Sequence, residues 1–203
     1  ANVRQTLRAR IKKRITMRFF ELKSDVNNYS WIDFNEKYYK LLSEMRGESL
    51  INKWKPLNLR KLKEKPELPL GDYPTFSEPI VSEKAKNILE CLCTNIAEFL
   101  PVTIHNSDQN YYLFNVTNIL DCLDHHNSTI KYFSDGRIME IQVYSFNNSI
   151  TSQNRFFRIK GYEKSIYVNE EIKSIIDNNN LNGFIFVDTA LPYENPFKKL
   201  LKK

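Results

Sequence analysis

The sequence predicts an α+β fold: a mainly antiparallel sheet with three or four helices packed against it, in a single domain. Three observations point there. Segments of strand character and segments of helical spacing follow one another without strict alternation, which disfavours a doubly wound parallel sheet. Turn signals at Ser134-Asp135-Gly136 and at Gly161 fall between short apolar runs, as hairpins require. A chain of 203 residues, 41% of them apolar, can bury one sizeable core but hardly two.

Residues 19–23 are apolar and aromatic and read as a first strand, with Met17 as its natural opening. Tyr38, Leu41, Leu42 and Met45 recur at helical spacing before Gly47, so a helix is expected over 35–46. From 54 to 79, Pro56, Pro66, Pro69, Pro74 and Pro79 are dense enough to predict a loop without regular structure. Trp54, Leu57, Leu59, Leu62, Leu68, Leu70, Tyr73 and Phe76 make it a packed connection rather than a linker. Ser82 is an N-cap ahead of Ile88, Leu89, Leu92 and Ile96, which predicts a helix over 82–97 ended by Phe99-Leu100-Pro101. Strands at 102–105 and 111–116 flank the polar turn 106–110, and a short helix is expected over 118–123. Ile138, Ile141 and Val143, then 156–160 and 165–168, continue as antiparallel strands. Asn169 or Glu170 starts a helix carrying Ile172, Ile175 and Ile176, stopped by 178–180, before a last buried strand at 183–187.

The net charge of +6 divides unevenly along the chain. Arg4, Arg8, Arg10, Lys12, Lys13 and Arg14 supply all of it, and 1–16 contains no acid. Without that segment and without Lys198, Lys199, Lys202 and Lys203, 20 basic face 24 acidic residues, so the body is about −4. The expected organisation is a basic N-terminal extension (1–16), a folded domain (17–190) and a C-terminal tail (191–203). Val3, Leu7, Ile11 and Ile15 give the extension a narrow apolar stripe, compatible with contacts to nucleic acid, a membrane surface or a partner helix. A frayed terminus explains it more simply. No apolar run is long enough to cross a bilayer. Three cysteines, an odd number, fit reduced thiols and a cytoplasmic setting.

Chemistry is sparse. The five glycines lie more than twenty residues apart, so no phosphate-cradling or dinucleotide loop can be assembled, and no serine stands in a Gly-x-Ser-x-Gly elbow. Asp121, Cys122, Asp124, His125 and His126 with Cys91 and Cys93 can be drawn as a zinc site, but Cys-x-Cys is too tight and adjacent histidines diverge. Asp124 beside His125 or His105 can be drawn as a general acid-base pair. Asp124 and Ser128 at the end of a short element are better read as groups that hydrogen-bond their own backbone. Tyr38-Tyr39, Tyr111-Tyr112 and Phe156-Phe157 are read as core packing rather than base-stacking platforms. No catalytic residue, cofactor or metal ligand is assigned.

The strings Pro-Ile-Val-Ser-Glu-Lys-Ala (79–85), Phe-Leu-Pro-Val (99–102) and Tyr-Tyr-Leu-Phe-Asn-Val (111–116) carry a family resemblance. It continues through Asp121-Cys-Leu-Asp124 with Ser128, Phe156-Phe-Arg-Ile159, Ile166-Tyr-Val-Asn169 and Leu181-Asn-Gly-Phe-Ile-Phe186. In this order and spacing the chain resembles immunity protein family eleven of bacterial polymorphic toxin systems, over about 17–190. The resemblance implies a cytoplasmic bacterial protein that binds a cognate toxin domain and blocks its active site or assembly. It implies no catalysis, small-molecule substrate or cofactor. Under that reading the loop residues Asn106, Asp108, Gln109, Asn147, Asn148 and Asn154, with Tyr144, are the toxin-binding candidates, since amides and a tyrosine adapt without disturbing a sheet. Ordinary turn preference accounts for the same asparagines. Two alternatives stand beside it: a nucleic-acid-binding regulator that uses the basic segment 1–16, with steep salt dependence, and a hydrolase centred on Asp124 and His125.

Overall fold

The computed structural model describes residues 17–191 apart from 35, 39–40, 43–46, 62–66 and 76–77. In chain order the elements are β1 (Phe19–Ser24), β2 (Ser30–Asp33), β3 (Leu57–Lys61), β4 (Leu70–Thr75), β5 (Ile80–Ser82), α1 (Glu83–Leu89), β6 (Ala97–Ile104) and β7 (Tyr111–Val116). They continue with β8 (Ile119–Leu120), β9 (Thr129–Tyr132), β10 (Ile138–Val143), β11 (Phe156–Ile159), β12 (Tyr162–Asn169), α2 (Glu170–Asn178) and β13 (Phe184–Asp188). Strand makes up 42% and helix 17% of the described residues, and the two named α-helices are short. The protein is therefore mostly β, which corrects the α+β architecture with three or four helices.

Three sheets share the strands: a five-stranded sheet in the order β13-β1-β12-β11-β8, a six-stranded sheet in the order β4-β2-β3-β6-β7-β5, and the β9–β10 hairpin. Alternation along single strands explains why they stack. In β11 all four residues are buried; Phe156 joins the core shared with β7, α1 and α2, while Phe157 and Ile159 point into a second core shared with the hairpin. In β1, Phe20 and Leu22 serve the first core and Phe19 the second. Phe114 of β7 meets Phe156 of β11 edge-to-face at 5.3 Å, which ties the six-stranded sheet to the five-stranded one. The opposite face of the six-stranded sheet buries Ile32, Leu57, Leu59, Val102, Ile104, Tyr111 and Leu113 with Leu50 in a third cluster.

Several expected elements change identity. The helix starting at Ser82 does form, with the Ser82 hydroxyl accepting from the Ala85 N–H at 3.1 Å, but it runs only to Leu89 and a 3-10 turn, Glu90–Leu92. Asn95 then adopts φ 63°, and Ala97 onwards pairs with β7 from Ala97↔Val116 to Val102↔Tyr111. Ile96 continues the helical spacing, yet eight residues of ladder outweigh one more helical turn. The segment 118–123 is not helical. Ile119 and Leu120 pair in parallel with Arg158 and Ile159, and the Asn118 amide donates to the Phe156 carbonyl at 2.8 Å.

The proline-rich 54–79 stretch contains β3 and β4 rather than irregular loop alone. Pro56, Pro69 and Pro79 each stand immediately before a strand, and Pro74 lies in β4 at the sheet edge, where a missing N–H is tolerated. Of the helix expected over 35–46, Glu36–Tyr38 forms a 3-10 turn and much of the rest lies outside the described residues. The extension 1–16 and residues 192–203 of the tail lie outside them as well.

The hairpins at Gly136 (φ 85°) and Gly161 (φ 80°) and the helix capped by Asn169 form as expected. The last strand, β13, is a half-buried edge strand rather than a buried one.

Candidate binding cleft and loop surface

The β9–β10 hairpin and the five-stranded sheet enclose a cleft of about 690 Å³, lined among others by Glu21, Tyr73, Glu78, Met139, Tyr144 and Lys164. A second hollow of about 530 Å³ shares Glu78, Tyr162 and Lys164 with it and adds Phe133, Arg137 and Arg158. Charge inside the first is largely matched: Glu21 accepts from Ser165 Oγ at 2.5 Å and pairs with Lys23, and Lys131 pairs with Glu140 at 2.9 Å. Lys164 donates to the Met139 carbonyl at 2.9 Å, its ammonium 4.6 Å from the Tyr162 ring, and burial draws its pKa down.

Arg158 is the unusual member. It is 2% exposed, standing between Phe157 and Ile159 in β11. Its Nε donates to the Val116 carbonyl of β7 at 2.9 Å and its Nη1 to the Glu163 carbonyl of β12, so one side chain braces two sheets. Burial lowers its pKa, while the charge of Glu78 acts to raise it. Burial in turn raises the Glu78 carboxyl, outweighing Arg158. Burial also raises the Tyr73 and Tyr167 phenols.

The loop candidates separate into two groups. Asn106, Asp108 and Gln109 are exposed on the turn that joins β6 to β7, with Asn106 at φ 60°. Gln109 accepts from the Tyr111 hydroxyl at 3.0 Å. Tyr144, Asn147, Asn148 and Asn154 belong to the connection between β10 and β11. Tyr144 lines the cleft and shares a hydrogen bond with Tyr167 at 3.0 Å. Asn147 donates to the Asp121 carbonyl at 3.0 Å and accepts from the Ser149 N–H at 2.9 Å. Asn154 closes its own turn by accepting from the Thr151 N–H at 2.7 Å. Asn148 is exposed.

Asp124 likewise bonds to its own backbone. Its Oδ1 accepts from the His126 and Asn127 N–H groups at 3.0 and 3.2 Å, and its Oδ2 accepts from the Asn127 amide at 2.7 Å. These bonds, the Asn127 side chain foremost, hold its carboxyl below the usual range. His125 Nδ1 meets the Tyr132 hydroxyl at 3.4 Å. Burial pushes the Cys93 thiol up to about 12 and the Cys122 thiol to about 11, so neither is a ready nucleophile at neutral pH. Among the described residues no group of three or more His, Cys, Asp or Glu is placed to hold a metal ion, and no helix is long and apolar enough to cross a membrane.

Glu78, Arg158 and Lys164 were not singled out by the sequence reading. Only Arg158 carried a signal there: a charge inside the otherwise apolar string Phe-Phe-Arg-Ile. The curated proteins include no match to the chain. A family model described as immunity protein family (Imm11) matches residues 29–190, from the turn after β1 to beyond β13 and so through the hairpin, both loop groups and the cleft lining outside β1. Matched over well more than half its length, the chain belongs to the Imm11 immunity protein family.

Proposed function

We propose that this protein protects a bacterial cell by binding a cognate toxin domain in the cytoplasm and blocking its active site or its assembly, without catalysing a reaction. The family match is the observation that carries the reading. The engagement of the chemically suggestive groups agrees with it: Asp124 is absorbed by its turn, and the Cys93 and Cys122 thiols are raised by burial. The exposed amides and carboxylate at Asn106, Asp108, Gln109 and Asn148, with Tyr144 at the cleft, are the proposed contacts, and Asn147 and Asn154 hold their loops in shape. A body of about −4 suits a toxin whose surface is basic.

The test is co-expression with the toxin domain encoded in the adjacent reading frame, scored by survival and by calorimetric titration of the purified pair. Rescue and a 1:1 complex are expected. A wild-type protein that neither rescues nor binds overturns the reading. Replacing Asn106, Asp108, Gln109 and Asn148 together by Ala is expected to weaken binding about tenfold or more. Unchanged affinity would remove these loops from the interface.

A further inference from the structure

An edge strand presents a row of unpaired N–H and C=O groups, and natural sheets blunt such edges by keeping them short, charged or interrupted by proline. Most edges in this fold follow that rule. Among the described residues β8 has two residues and β5 three, β4 contains Pro74, and the β9–β10 hairpin carries Lys131 and Glu140. β13 does not follow it. It ends the five-stranded sheet with Phe184-Ile185-Phe186-Val187-Asp188, which holds no proline and no charge before its last residue.

The Gly183 carbonyl accepts from the Asp25 N–H at 2.9 Å and the Thr189 N–H donates to the Phe19 carbonyl at 3.1 Å, with an unbroken register between them, so the odd-numbered residues face β1. The even-numbered residues face outward. At one end Asn182 meets β4, its carbonyl accepting from the Asp72 N–H at 2.9 Å; at the other the chain turns after Asp188, whose carbonyl accepts from the Leu191 N–H at 3.2 Å. Between these limits the N–H and C=O of Phe184 and Phe186 and the N–H of Asp188 have no partner among the described residues. Ile185 is 40% exposed, and Met17 and Leu191, 44% and 64% exposed, stand where β1 begins and β13 finishes.

We propose that β13 pairs antiparallel with β13 of a second copy of this chain, about a two-fold axis at Phe186, joining two five-stranded sheets into one of ten strands. The free stretch selects this occupant. It runs from 184 to 188, so Phe186 is its midpoint, and the outward Phe186 N–H and C=O can both bond to Phe186 of the second copy across the axis. In that register Phe184 bonds to Asp188 of the second copy, and Ile185 lies opposite Val187 of the second copy, both β-branched and apolar. No like charges meet. Lys23 stands beside Ile185 and Glu21 beside Val187, so each row across the axis runs Lys23, Ile185, Val187, Glu21, with opposite charges at its ends. Asp188 is already paired with Arg18 at 2.5 Å. Length, side chains and charge therefore match the strand to itself.

The full chain is followed by sedimentation velocity over a wide range of concentration, with amide hydrogen exchange read at Phe184, Phe186 and Asp188. Wild type is expected to move towards twice the 24.1 kDa of one chain as concentration rises, with those three amides slowing in step. Two double variants, Ile185→Lys with Val187→Lys and Ile185→Glu with Val187→Glu, oppose like charges across the axis. Each is expected to associate at least about tenfold more weakly than wild type, with thermal melting as the check on folding. An equimolar mixture of the two, which opposes Lys to Glu, is expected to recover the dimer. Wild type that stays monomeric with the three amides exchanging freely overturns the pairing. Slow exchange in a monomeric chain assigns the edge to a segment of the same chain and overturns it too, and slowing only on addition of the toxin domain assigns the edge to the toxin instead. Variants that dimerise as wild type does, or a mixture that fails to recover the dimer, place the contact elsewhere and overturn it.

Discussion

Burial holds the Glu78 carboxyl above its ordinary 4.5, outweighing the opposite pull of Arg158. The folded protein therefore keeps this proton more tightly than the unfolded chain does, and stability declines as pH rises from about 4.5 through the raised value. Glu78→Gln should remove that decline. In urea titrations the variant is expected to match wild type near pH 4 and to be the more stable of the two at neutral pH; a constant difference across the range would contradict the assignment. Arg158 was partly legible at this scale, since a charge amid Phe156, Phe157 and Ile159 must be buried or break the alternation. Glu78 was not. Nothing beside it in the chain places it near Arg158, eighty residues later.

At the scale of elements, local signals worked where one residue fixes one hydrogen bond or one dihedral. Asn169 caps α2 by accepting from the Ile172 N–H at 3.0 Å, and its amide also donates to the Ser152 carbonyl at 2.7 Å. Asn169→Ala should cost about 1 kcal/mol, read by urea denaturation. Gly161 turns β11 into β12 at φ 80°, and a Cβ there meets nothing within 4 Å. Gly161→Ala should therefore cost about 1 kcal/mol through backbone strain alone, with unchanged near-ultraviolet circular dichroism. Where pairing competed with periodicity, local reading failed. Leu92 and Ile96 continue a helical pattern, but the strand that follows them is held by β7 on one side and β3 on the other. The prolines at 56, 69 and 74 read as breakers because sequence does not reveal which positions begin a strand or lie at a sheet edge.

For the whole molecule, Arg158 is a tie between layers, joining β7 and β12 through two carbonyls. Arg158→Ala should destabilise by about 3 kcal/mol or more, because both carbonyls lose this donor and a large, fully buried side chain is replaced by a void. Equilibrium unfolding checks the value; a loss below about 1 kcal/mol would mean that the sheets do not depend on it.

Composition and local pattern by themselves determined that residues 1–16 carry basic charge equal to the whole net charge, which segments turn, which residues cap, and which family the chain resembles. Those properties depend on side chains a few positions apart or on the order of short strings. Tertiary structure alone decided that the fold is mostly β, that 97–104 is a strand, and that Glu78, Arg158 and Lys164 share one hollow. Each of these depends on hydrogen bonds and desolvation between segments tens of residues apart, and no local window of sequence carries the free energy of such contacts.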